Sequence, residues 1–209
     1  MSDVISEKEA IWIMGSDHVQ EVINVWEAAL ALEEFDVKIE FMWLFVETVS
    51  DVFQILLRAI KLEGYVPSQI LIATGQQDLI DMSTANIRAR FEKMITKCTR
   101  LVNRTPKRTC VASLLLSPIQ PQFYYPTYKK QAAAKHKLLN INRKINAVAS
   151  NTACLVTPST GIKTGEQSHF APDQVRTLSS KAATLLAESW LIAVRSNSDS
   201  SVWGRLSEK

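Results

Sequence analysis

The stretch IWIMGSDHV, residues 11–19, decides how the chain is read. An apolar run ends at Gly15-Ser16-Asp17, and the pattern then turns amphipathic. Val19, Val22, Ile23, Val25, Trp26, Ala29 and Leu30 recur at helical spacing through residues 18–35. A run too short for a buried helix, closed by Gly-Ser-Asp and followed by a helix, is a strand handing over to a helix. In open α/β sheets that junction lies at the carboxyl edge, where ligands bind.

The same grammar repeats outward. Residues 36–46 are β-rich, and 48–64 form a helix closed by Gly64. QILIAT (69–74) is a second fully apolar strand, and GQQDLID (75–81) is expected as a loop. A basic helix follows over 84–104, a strand over 109–116, a tyrosine- and proline-rich loop over 117–130, and a helix over 132–151. A short strand at 152–157 and a loop over 158–171 lead to a final helix over 172–195, with Pro172 in its first turn. Continuous apolar strands alternating with helices predict a parallel sheet covered on both faces. The expected fold is a three-layer α/β/α sandwich around a five-stranded parallel sheet, one domain over residues 11–195. A flexible N-terminus (1–10) and a polar tail (196–209) are expected to flank it.

Composition sets limits. At 209 residues and 46% hydrophobic content, the chain can fill one sizeable core. No apolar stretch approaches the roughly 18–20 residues of a membrane span. The opening MSDVISEKEA lacks the basic start and apolar run of a secretory signal. Cys98, Cys110 and Cys154 are too few and too irregular for a zinc site or a disulfide framework. The expectation is an intracellular protein, cytoplasmic or nuclear, with no metal, no cofactor and no membrane partner.

Three polar segments reach the carboxyl edge: Gly15-Ser16-Asp17, Gly75-Gln76-Gln77-Asp78 and Glu166-Gln167-Ser168-His169. In order and placement they resemble the SGNH (GDSL-type) hydrolases, which share a five-stranded, flavodoxin-like architecture. HFAPDQVRTLSSKAATLLAE is similar to the family's run from its histidine into its last helix. The resemblance implies a nucleophile from a Gly-Asp-Ser turn, an oxyanion-hole asparagine from Gly-x-Asn-Asp, and a base from Asp-x-x-His. Each motif departs from that pattern. Ser16 takes the aspartate position and Asp17 the nucleophile position. Gln77 replaces the asparagine, and Glu166 replaces the carboxylate partner of His169. The segment MWLFVETVSD, after the second strand, lacks the glycine whose amide the family uses as a second oxyanion donor. Asp17 is expected to face His169 in place of Ser16, an arrangement that favours the imidazolium over the base. Losing one oxyanion donor alone costs about 10²–10³ in rate. The resemblance therefore implies a hydrolase fold without hydrolysis, or else an acyl-ester hydrolase with a rearranged Ser16/His169 site.

The charges are partitioned. Residues 1–83 carry 15 acidic and 4 basic side chains, whereas residues 84–165 invert the balance, with Glu92 as the one acidic side chain. Arg90, Lys93, Lys97, Arg100 and Arg104 step by three or four along one helix. Lys107, Arg108, Tyr125, Lys129 and Lys130 follow. Cations interleaved with tyrosines suit single-stranded RNA, phosphates meeting the cations and bases stacking on the rings. The wider SGNH group offers two similar cases: the RNA-binding C-terminal domain of the germ-plasm protein Oskar, and SGNH-like domains of animal retroelements. The expected function is thus a non-catalytic module binding RNA or another polyanion. A module that binds a protein partner is the remaining alternative, and the oligomeric state is left open.

Overall fold

The computed structural model describes residues 10–30, 40–103, 112–121, 128–152, 154–163, 166–171 and 174–197. Five parallel strands make the main sheet: β1 (Ala10–Gly15), β2 (Glu40–Phe45), β3 (Gln69–Ala73), β4 (Ser113–Leu116) and β5 (Leu155–Val156), in the order β2-β1-β3-β4-β5. The helices are α1 (Asp17–Leu30), α2 (Val52–Glu63), α3 (Gln76–Asp81), α4 (Thr84–Asn103), α5 (Tyr128–Ser150) and α6 (Ser180–Asn197).

Strand periodicity divides the core into two layers. Trp12 and Met14 of β1, with Ile70 and Ile72 of β3, pack toward Leu56 of α2 and Phe91 of α4. Ile11 and Ile13, with Leu71 and Leu115, pack toward Val22 of α1 and Trp190 of α6. Both faces of β1 are covered, and none of its six residues is exposed. This is the expected three-layer α/β/α sandwich. None of the described helices is long and apolar enough to cross a membrane. Cys98 and Cys154 are free and buried among apolar side chains, and burial pushes each thiol up to about 12. Cys110 lies outside the described residues.

Two expectations change. The stretch 75–81 is a helix rather than a loop: Gly75, at φ 110°, turns the chain out of β3 and straight into α3. The last helix begins at Ser180, not at Pro172. Residues Gln174–Leu178 form β7, antiparallel to β6 (Phe170–Ala171). Ser179 sets the boundary, its hydroxyl accepting the Ala182 N–H at 3.3 Å and its carbonyl accepting that of Ala183 at 2.9 Å. In addition, α5 starts four residues early, so Lys129 belongs to its first turn.

The chain passes from β1 to β2 on one side, then returns to β3 on the other. The crevice produced by that reversal opens beside Gly15 and Ala73, which are paired in register. Contact there is close. A Cβ on Gly15 would lie 2.2 Å from Val19 Cγ2 and 2.4 Å from the Ala73 carbonyl oxygen. The carbonyl cannot move without breaking the sheet. Gly15→Ala is therefore expected to cost about 3 kcal/mol, the upper part of the usual overpacking range. Urea unfolding with unchanged m checks this. A loss below about 0.5 kcal/mol, typical of neutral surface changes, contradicts it.

Candidate functional site

Three segments on the carboxyl side of the main sheet carry the candidate residues. Ser16 follows β1 directly, and its carbonyl accepts the Val19 N–H at 2.9 Å, opening α1. Its side chain is half-buried, and among the described residues nothing hydrogen-bonds its hydroxyl. Asp17 is the first residue of α1; its side chain lies outside the described part of the structure, so the expectation that it faces His169 stays open.

The second segment surrounds a buried carboxylate. The Asp78 side chain is fully buried in α3. Its Oδ2 accepts the Val49 N–H at 2.9 Å, and its Oδ1 meets Arg90 Nη1 at 3.0 Å. One carboxylate thus ties the loop after β2 to α3 and α4. That loop has a second anchor, since Thr74 Oγ1 donates to the carbonyls of Val46 and Glu47, each at 3.2 Å. Two of its amides are committed: Val46 N–H goes to Gly15 O at 2.8 Å, and Val49 N–H to Asp78. Gln77 does not reach the crevice. Its Nε2 donates to Asp81 Oδ2 at 2.8 Å along the exposed side of α3. The neighbouring Gln76 is the buried amide, and its Oε1 has no hydrogen-bond partner among the described residues. Sequence reasoning missed it because two adjacent glutamines are indistinguishable until the first residue of α3 is known.

The third segment holds His169 in a single 3₁₀ turn, Gln167–His169, before β6. The ring is buried at 3% exposure. Its Nδ1 accepts the backbone N–H of Lys163 at 3.1 Å, which assigns the proton of the neutral ring to Nε2. Nε2 faces Glu166 Oε1 at 3.6 Å. The backbone holds the turn as well, since His169 N–H donates to Glu166 O and its carbonyl accepts the Ser179 N–H, both at 3.0 Å. Glu166 and His169 are brought together as the motif implied, but through the opposite ring nitrogen. A triad base needs its carboxylate on Nδ1–H and a free lone pair on Nε2. Among the described residues, no hydrogen bond joins His169 to Ser16.

Glu166 gathers cations. Oε1 accepts from Ser168 Oγ at 3.0 Å and from Lys181 Nζ at 3.2 Å, while Lys163 Nζ lies 3.9 Å from Oε2. The Ser168 hydroxyl first, then Lys181, holds its carboxyl below the ordinary glutamate range. Among the described residues, no three His, Cys, Asp or Glu side chains cluster to hold a metal ion.

Of the basic series, Lys93, Lys97 and Arg100 on α4 and Lys129 on α5 are exposed. Arg90 is half-buried and already paired with Asp78. Lys130 is described only in its backbone, and Arg104, Lys107, Arg108 and Tyr125 lie outside the described residues.

No protein-family model and no curated protein sequence matches the chain. Solved structures do match. TesA is 18% identical with a TM-score of 0.65, the match covering 90% of this chain and 99% of that one. The inhibitor-bound aryl esterase of M. smegmatis is 14% identical with a TM-score of 0.64, covering 91% and 100%. A GDSL-like lipase from Bacteroides thetaiotaomicron is 13% identical with a TM-score of 0.59, covering 90% and 88%. The chain has an SGNH hydrolase-like fold.

The Glu166 contacts predict a titration order. Because its pKa is depressed in the fold, the stabilisation it brings is present above the unfolded pKa and is lost as pH falls through the folded one. Following the Glu166 carboxyl by NMR should place its midpoint below that of an unfolded peptide. Ser168→Ala should raise the midpoint more than Lys181→Ala does. A midpoint unmoved by either change contradicts the assignment.

Proposed function

We propose that this chain is a non-hydrolysing SGNH-fold module that binds a polyanion, single-stranded RNA first, through the basic surface of α4 and the start of α5. The observation that carries the first half is the Lys163 N–H on His169 Nδ1. A general base must offer a lone pair to the nucleophile while the other ring N–H is held by a carboxylate. Here one nitrogen is taken by a backbone amide and the other carries the proton toward Glu166. Gln77 bonded to Asp81, and Val49 N–H bonded to Asp78, support the same reading, since neither donor is aimed at a developing oxyanion.

The charge partition supports the second half. Exposed Lys93, Lys97, Arg100 and Lys129 stand on two helices that pack against each other. The acidic side chain of that region, Glu92, is bonded to Arg88 at 2.9 Å, so it does not offset them. A phosphate backbone is drawn to such a surface with a strong salt dependence.

Two measurements test the two halves separately. Turnover of p-nitrophenyl acetate by the full chain is expected at background, and equal in Ser16→Ala and His169→Ala. Turnover above background that disappears in both variants contradicts the reading and returns the chain to the esterases its fold resembles. RNA binding by filter titration should weaken steeply with salt, with a log–log slope of about −0.7 per phosphate contacted. Lys97→Glu with Arg100→Glu should weaken binding to all sequences and flatten the slope by about one unit or more. No binding at low salt would overturn the RNA half in favour of a protein partner.

A further inference from the structure

Between α2 and α4 lies a cleft of ≈ 310 Å³, at the lower end of the range for ligand pockets. Three of its lining side chains are cationic, Arg90, Lys93 and Lys97, and none is acidic. Ser50, Phe53 and Gln54, around the start of α2, line it opposite. We propose that this cleft is a phosphate-binding site that seats one backbone phosphate of the bound single strand; the identity of that strand rests on the RNA reading above.

Two of the three cations are held in place before any ligand arrives. Arg90 is anchored through Nη1 on the buried Asp78, and its side chain, 38% exposed, lines the cleft. Lys97 Nζ lies 5.1 Å from the centroid of the Phe53 ring, a cation–π contact that fixes the ammonium at the rim. Lys93 and Lys97 have no ion-pair partner among the described residues. Nearby carboxylates are engaged elsewhere: Asp51 accepts from Thr48 Oγ1 at 2.6 Å, and Glu92 is paired with Arg88. Preorganised charge in a concavity lowers the ordering cost of binding. The cations along α5 do not line this cleft.

The tests use the full chain labelled with ¹⁵N. Titration with inorganic phosphate against chloride at constant ionic strength should give saturable amide shifts confined to Ser50–Gln54 and the Lys93–Lys97 turn. Lys93→Gln with Lys97→Gln should abolish them, the remaining spectrum reporting that the fold is intact. The same double variant should lose about tenfold in affinity for oligouridylate, the scale of one charge-assisted hydrogen bond. Lys135→Gln with Arg143→Gln removes equal charge outside the cleft and should lose several-fold less. Phe53→Leu changes no charge and should lose about threefold, because Lys97 is no longer held. Equal losses in the two lysine and arginine doubles, or phosphate shifts spread without selectivity, overturn the cleft while leaving RNA binding in place. Selective phosphate shifts without RNA binding support the phosphate site and overturn the RNA source, assigning the cleft to a small phosphate ester.

Discussion

Everything in this molecule is arranged around a strand that has no free side. β1 is hydrogen-bonded to β2 on one edge and β3 on the other, and helices cover both of its faces. A strand so placed can carry no polar side chain, because a buried polar group without a partner costs several kcal/mol. It can reach water only at its end, and there Gly15 lets the chain pass within contact of Ala73 and Val19. The polar residues that follow, Ser16 and Asp17, are therefore delivered to the one edge where the sheet opens.

What surrounds that edge ties loops together. Asp78 occupies the position of a motif aspartate, yet its two oxygens are spent on Val49 N–H and Arg90. Asp78 is fully buried, so removing either contact would leave a buried carboxylate short of a partner, and the pairing is a structural commitment. The third segment follows the same logic. His169 sits within a turn whose amides and carbonyls bond to one another, and its ring becomes one more acceptor in that network. Arg90 links this edge to the cleft between α2 and α4: its Nη1 sits on Asp78, and its side chain lines the cleft.

The fold was legible because strand burial writes itself into the sequence. IWIMG, QILIA and SLLL are almost wholly apolar under the two helical layers; the buried exception, Gln69, donates to the Val194 carbonyl of α6. The final hairpin was not legible. QVRTL (174–178) is too short and too polar to stand out, and Pro172 ahead of an amphipathic run imitates a helix start, whereas the boundary is set by the hydroxyl of Ser179. The site was legible as a set of segments and not as a set of roles. Order along the chain could bring Glu166 to His169, but which ring nitrogen they share depends on the Lys163 amide, a backbone group without a sequence signature. Likewise a charge count cannot tell Arg90, spent on a carboxylate twelve residues earlier, from Lys93 beside it.

The account turns on the state of one imidazole. Long-range ¹H–¹⁵N correlation of the His169 ring in the full chain reports which nitrogen carries the proton in the neutral ring, and therefore which lone pair is free. The expected result is an unprotonated, hydrogen-bonded Nδ1 with the proton on Nε2, unchanged in Ser16→Ala. A protonated Nδ1 with a free Nε2 lone pair that responds to Ser16→Ala would contradict it and would restore a working base to this fold.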